Sequence, residues 1–188
     1  MLEKLLERIA KGLSKHNIKY MIIGGQAVLL YGEPRLTKDI DITLGIGPEG
    51  LEAFLPVVKE IGLQVLVEDT EKFVQNTFVL PTKDEGSGFR VDFIFSISSY
   101  EKNAIERCTP VKIGVTETNF ASVEDLIIHK VVAGRPRDIE DVKVILIKNN
   151  DIDNSYILKW LKEFDFELQN GFTEVFKKLL KETEKDIK

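Results

Sequence analysis

The chain has 188 residues, 43% hydrophobic and 30% charged, the balance of a globular domain with room for a small appendage. Its net charge of −5 argues against an extended nucleic-acid-coating surface, which needs many Lys and Arg to release counterions. One cysteine, Cys108, excludes an internal disulfide and a CxxC zinc site, and two distant histidines, His16 and His129, argue against a His-rich metal centre.

No apolar run reaches membrane length, and Met1-Leu2-Glu3-Lys4 does not begin a signal peptide, so a cytoplasmic protein without a membrane partner is expected. Residues 2–15 carry Leu2, Leu5, Leu6, Ile9 and Leu13 on one stripe, an amphipathic helix. Ile18 to Ile23 reads as a buried strand stopped by Gly24-Gly25, and Gln26 to Tyr31 as a short helix closed by Gly32 and Pro34. From Lys38 to Leu44 the pattern alternates, with Asp39, Asp41 and Thr43 on one face and Ile40, Ile42 and Leu44 on the other, which is a strand. A turn at Gly45 to Gly47 leads to a helix over Glu49 to Ile61, then a strand over Gln64 to Val67. Thr77 to Leu80 and Gly88 to Phe95 read as hairpin strands around the polar linker 82–87. A helix over Ser99 to Cys108 and one or two strands over Val111 to Phe120 follow. From Ser122, which with Asp125 resembles a capping box, the chain turns helical, with further helices from Asp138 to Ile147 and over about 153–164 and 170–186. Trp160, Phe164 and Phe166 are assigned to the C-terminal core, as is the Cys108 thiol to the core before it. His129 is expected to pack or cap.

Asp39 and Asp41 share a strand face with Cα atoms roughly 6.5–7 Å apart. Carboxylates that close repel unless solvent or a cation lies between them, and Mg²⁺ is a hard cation suited to such oxygens. Asp92, inside the apolar strand Arg90-Val91-Asp92-Phe93-Ile94-Phe95, needs a partner as well. That partner is either Arg90, two residues away on the same face, or a metal shared with Asp39 and Asp41. Gly24-Gly25, between a strand and a helix, can turn backbone N–H groups toward an anion. A rival motif, Gly45-Ile46-Gly47-Pro48-Glu49-Gly50, matches the dinucleotide fingerprint, with Glu68 and Asp69 about twenty residues on. The strand that feeds it carries two carboxylates, unlike a central parallel strand, and the glycines are assigned to a turn.

Gly24-Gly25, thirteen residues, then Asp39-Ile40-Asp41-Ile42 resembles the signature of the polymerase β-like nucleotidyltransferase superfamily, and Asp92 is similar to its third carboxylate. Tyr31 to Asp39, and Asp125-Leu126 through Lys130 with Arg137-Asp138 and Asp141, resemble the minimal prokaryotic branch that includes AbiEii-type toxins. The resemblance covers roughly residues 18–145. Gly25 stands where many relatives carry Ser, so one hydroxyl contact to the triphosphate is missing. The resemblance implies an α/β (α+β) fold: a mixed sheet flanked by helices, with a core over 1–121 and a helical part over 122–188 packed on it. It implies Mg²⁺ (or Mn²⁺) on Asp39, Asp41 and Asp92, and NTP contacts from Gly24, Gly25, Arg35, Thr37 and Lys130. The implied reaction moves a nucleoside monophosphate from an NTP to an acceptor hydroxyl and releases pyrophosphate. The acceptor is open between tRNA, another protein and a small molecule, and an antitoxin partner or a homo-oligomer is compatible. The alternatives are an NAD-type oxidoreductase and a non-catalytic nucleotide-binding module of the same fold.

Overall fold

A computed structural model of the chain describes residues 1–34 and 37–186. The elements run α1 (Leu2–Lys15), β1 (Tyr20–Ile23), α2 (Gly24–Tyr31), β2 (Asp39–Leu44), α3 (Leu51–Ile61), β3 (Gln64–Val65), α4 (Thr70–Thr77), β4 (Val79–Lys83), β5 (Arg90–Phe95), α5 (Ser99–Glu106), β6 (Thr109–Ile113) and β7 (Thr116–Phe120). Then come α6 (Val123–Ala133), α7 (Pro136–Lys148), α8 (Asn154–Leu168) and α9 (Phe172–Asp186). The chain divides into two compact units, Met1–Gln26 with Leu36–Ala121, and Ala27–Arg35 with Ser122–Lys188.

The first unit is built on a seven-stranded sheet in the order β3-β4-β5-β2-β1-β7-β6. The β2–β5 and β1–β7 pairs are parallel and the rest antiparallel, so the sheet is mixed. Alternation sorts its faces. Ile40, Ile42 and Leu44 of β2 and Val91, Phe93 and Phe95 of β5 point to one side and are fully buried. There Phe54 of α3 meets Phe93 and Phe95 edge-on, with ring centroids 4.9 and 5.9 Å apart. Each such ring contributes roughly 1.5–3 kcal/mol by leaving water. The apolar stripe of α1 (Leu5, Leu6, Ile9, Leu13) is buried as its periodicity predicts, and α1 packs on α3 and β7.

Between β3 and β4, and at the start of α7, the structure adds to or shifts the elements read from the sequence. The stretch before β4 is a helix, α4, capped by the Asp69 carboxylate on the Lys72 N–H. Its single buried residue, Val74, left too little apolar period to announce it. The following strand is Val79–Lys83, so Thr82 and Lys83 belong to β4 rather than to the hairpin linker. The helix expected from Asp138 starts at Pro136, whose missing N–H is harmless in a first turn.

The second unit contains helices α6 to α9. The Ser122 hydroxyl accepts from the Asp125 N–H and donates to its carboxylate, fixing the start of α6, and Gly134 ends that helix in the left-handed conformation. The buried Asp125 also accepts from the Tyr156 hydroxyl of α8. Trp160 is 7% exposed and Phe164 half-buried, but Phe166 is 88% exposed and lies outside the core assigned to it. Among the described residues no helix is long and apolar enough to cross a membrane.

Candidate active site

The site is built on the sheet face opposite Phe54. Parallel pairing of β2 with β5 sets Asp39 beside Arg90 and Asp41 beside Asp92. On the outer flank of β5, antiparallel β4 sets Lys83 beside Arg90 and Pro81 beside Asp92. On the other flank of β2, Ile23 of β1 stands beside Asp41. Residues paired across strands share a face, so three carboxylates and two cations gather on one patch. Exposure falls along it, from Asp39 and Arg90 in solvent, through half-buried Asp41 and Asp92, to buried Thr43.

The glycine pair is fitted to this patch. Gly24 has φ +64°, and a Cβ there would collide with the Asp41 carboxylate. Only glycine combines that backbone with that approach. At Gly25 a Cβ would meet the Thr37 methyl and hydroxyl, each at 3.1 Å. The Thr37 hydroxyl thus lies beside the place where a serine side chain would start. It also accepts from the Asp39 N–H and donates to the Asp39 carbonyl, each at 3.3 Å. Buried Gln26 donates to the same carbonyl at 3.3 Å. The first turn of α2 and the start of β2 are tied together by these bonds.

Arg90 Nε donates to Asp92 Oδ1 at 2.8 Å. This hydrogen bond raises the guanidinium pKa, burial opposes it, and Asp39 and Asp41 add to the rise. Asp92 therefore has the partner its strand position demands, and that partner is Arg90. Among the described residues no three His, Cys, Asp or Glu side chains converge as a ready cluster for a metal. The donor chemistry of Asp39 and Asp41 still fits a hard divalent cation: carboxylate oxygens on a half-open face, one of them pressed on the Gly24 backbone.

Lys130 lies in the second unit. It is 4% exposed and bonded to Asp138 at 2.8 Å and Asp141 at 2.7 Å. Arg35 lies outside the described residues. Cys108 is half-buried, and burial first, then Glu106, pushes its thiol pKa up, away from a nucleophile's range. His129 is half-buried on α6. In the glycine-rich stretch after β2, Pro48–Gly50 is a 3₁₀ turn leading into α3. A Cβ at Gly47 would meet the Glu49 carboxylate. A carboxylate thus stands beside the glycine where a pyrophosphate would need to approach.

The model of the family described as Nucleotidyltransferase of unknown function (DUF6036) matches residues 1–179. The chain belongs to this family. It is therefore an enzyme of the nucleotidyltransferase class and not an oxidoreductase, and the resemblance read in the sequence is right at the level of the superfamily. No curated protein matches the sequence. Solved structures share the fold at low identity. The antibiotic-resistance factor ANT(2'')-Ia has TM-score 0.62 and 15% identity, over 89% of this chain and 95% of that one. A nucleotidyltransferase-like antigenic protein from Paracoccidioides brasiliensis has TM-score 0.60 and 14% identity, over 96% and 92%. The lincosamide antibiotic adenylyltransferase LnuA, lincomycin-bound, has TM-score 0.53 and 17% identity, over 76% and 94%. The mixed sheet with a helical C-terminal part is the fold of these nucleotidyltransferases.

Proposed function

We propose that the chain transfers a nucleoside monophosphate from an NTP to an acceptor hydroxyl on the Asp39–Asp41–Asp92 face, with a divalent cation. The observation that carries this reading is the register of β5 on β2, which sets Asp92 beside Asp41, while a Cβ at position 24 would collide with the Asp41 carboxylate that Gly24 leaves room for. Phosphoryl-type transfer asks for positioning and charge neutralisation more than covalent chemistry, and carboxylates on this face would supply them by holding a divalent cation.

In this reading Gly24 and Gly25 offer backbone N–H groups to the triphosphate at the start of α2. Thr37 supplies beside Gly25 the hydroxyl that a serine would have carried there. Asp39 and Asp41, with Asp92 on the acceptor side, would hold Mg²⁺ or Mn²⁺, which would neutralise phosphate charge and lower the pKa of the attacking hydroxyl. The acceptor oxygen bonds to the α-phosphorus as the bond to the α–β bridging oxygen breaks. Pyrophosphate leaves with that electron pair, and the hydroxyl proton passes by way of Asp92 to solvent. Arg35 and Lys130 belong to the reading as triphosphate cations. For Lys130 this requires that it exchange one of its two aspartates for phosphate.

Within the superfamily the segments Tyr31 to Asp39 and Asp125 to Lys130, with Arg137-Asp138 and Asp141, support kinship with the AbiEii-type branch, and with it an antitoxin partner and a cytoplasmic site of action. The solved structures that share the fold include an antibiotic-resistance factor and a lincosamide antibiotic adenylyltransferase, which keeps a small-molecule acceptor beside a polynucleotide one. The test is mass spectrometry of candidate acceptors after incubation with each NTP and Mg²⁺. A gain of one nucleotide, lost in Asp41→Asn, is expected. NTP binding without transfer to any acceptor would favour the non-catalytic module.

A further inference from the structure

The order of strands gives the site two sides. Gly24-Gly25 closes β1, next come Asp39 and Asp41 on β2, then Arg90 and Asp92 on β5, and last Lys83 and Pro81 on β4. Neighbouring strands lie about 4.8 Å apart, so β1 and β4 are roughly 14 Å apart across this face. If the triphosphate lies over the glycine pair, as proposed above, the acceptor approaches from the β5–β4 side. That side is cationic. Arg90 and Lys83 are both exposed and stand directly opposite each other on antiparallel strands. Like charges in that relation destabilise a sheet, and one of the two is already committed to Asp92. The Arg90 side chain is 52% exposed against 18% for Asp92, so the guanidinium can turn outward while the carboxylate stays.

We propose that Arg90 and Lys83 form an acceptor subsite for a phosphate group adjoining the reacting hydroxyl, and that Arg90 is shared between this phosphate and Asp92. In the resting protein Arg90 takes the place of a cation at Asp92. When a phosphate-bearing acceptor arrives, Arg90 passes to its phosphate, beside Lys83, and Asp92 is released to hold a divalent cation. The acceptor is thus an anion, either the end of a polynucleotide or a phosphorylated small molecule, and not a polycation. The inference rests on the nucleotidyltransferase reading of the same face.

Two measurements on the full chain test it. First, Mn²⁺ titration of the free protein, followed by electron paramagnetic resonance, compares the parent with Arg90→Gln and Arg90→Lys. Arg90→Gln is expected to bind Mn²⁺ at least tenfold more tightly, and Arg90→Lys to behave as the parent. Second, a labelled 12-nucleotide RNA with a free 3′-hydroxyl is titrated in EDTA by fluorescence anisotropy, and ribose 5-phosphate binding is followed by calorimetry. Arg90→Gln and Lys83→Gln should each weaken the bound probe at least fivefold. Each should also reduce the slope of log affinity against log salt by about 1 for the oligonucleotide. Binding of the RNA alone assigns the phosphate to a polynucleotide, and binding of ribose 5-phosphate alone to a small molecule. Unchanged Mn²⁺ affinity in Arg90→Gln overturns the proposal. So does indifference of both probes to the two cations, or failure of the parent to bind either. Asp41→Asn separates this from the underlying reading: if that variant still binds Mn²⁺ and NTP like the parent, the nucleotidyltransferase site is wrong. If it loses both while the Arg90 and Lys83 variants change nothing, only the acceptor subsite is wrong.

Discussion

Asp41 and Asp92 stand side by side on neighbouring parallel strands, on the same face of the sheet, both half-buried. Two carboxylates so placed repel, and the fold tolerates them with Arg90 bonded to one and the Gly24 backbone drawn against the other. A protein selected for stability alone would not place acids there, and removing one charge should separate stability from function. Asp41→Asn is expected to stay folded, with a cooperative melt. It should lower Mg²⁺-dependent NTP affinity and cost transfer more than a hundredfold, about 3 kcal/mol in the barrier. Calorimetry with Mg·NTP beside a thermal melt checks both halves.

For Asp92→Asn the expected loss is in transfer rate and not in stability. Its ion pair with Arg90 is half-exposed on the arginine side, and pairs of that kind contribute roughly 0–1 kcal/mol. The melting temperature should fall by no more than about 2–4 °C, the shift that roughly 1 kcal/mol produces in a chain of this size. Single-turnover transfer should drop over a hundredfold with NTP affinity nearly kept, the mark of a contact made in the transition state. A large melting loss with an intact rate would identify the pair as purely structural.

Thr37→Val removes one hydroxyl beside Gly25 and two weak bonds that orient Asp39. NTP affinity should fall about tenfold, the scale of one hydrogen bond to a charged group. Gly25→Ser in the Thr37→Val background should restore part of it, whereas Gly25→Ser alone should not gain affinity, because Thr37 already occupies the space. Nucleotide titrations of the four proteins decide this.

Lys130→Ala should be strongly destabilising, because it removes the buried cation shared by two mostly buried carboxylates, Asp138 and Asp141, and the other cation at Asp138, Arg135, is 80% exposed and 3.8 Å away. Breaking a buried pair in this way costs about 3–5 kcal/mol. A role in phosphate binding is therefore read from Lys130→Arg, which keeps the charge. Chemical denaturation of both variants, with KM for NTP on the second, separates support of α6 and α7 from contact with substrate.

Acid should weaken the first unit through Asp84. Burial alone would raise its pKa, but the Ser87 hydroxyl, the Arg8 guanidinium and the Ser87 N–H outweigh burial and hold the carboxyl below the usual range. A depressed folded pKa contributes stability above the unfolded value near 3.9 and loses it as pH falls through the folded one. Asp84→Asn should be less stable than the parent at pH 6. The gap should close progressively below about pH 4, as denaturant midpoints across that range would record.

The shared strand face of the candidate site was legible because its signals are local. Strict alternation from Lys38 to Leu44 put Asp39 and Asp41 on one face before any strand had a partner, and two glycines after an apolar run marked the end of β1. Other local signals mark elements outside the site. Ser98 and Glu101 form a reciprocal capping box at the start of α5, legible as S-x-x-E. Helix α4 has one buried residue and so too short an apolar period to stand out.

The sequence by itself determined which residues are acidic, which face each takes on its own strand, and where the chain is free to turn. Only the tertiary structure decided that Asp92 lies level with Asp41, that Arg90 faces Lys83 while bonding to Asp92, and that Lys130 is sealed between Asp138 and Asp141. The reason is the range of the forces involved. Periodicity fixes a side chain's direction over a few residues, but the register between two strands is set by how all their buried side chains pack at once. Phe93 and Phe95 against Phe54 fix β5 on β2 from the opposite face of the sheet, and a slip of one residue would turn Asp92 into that core.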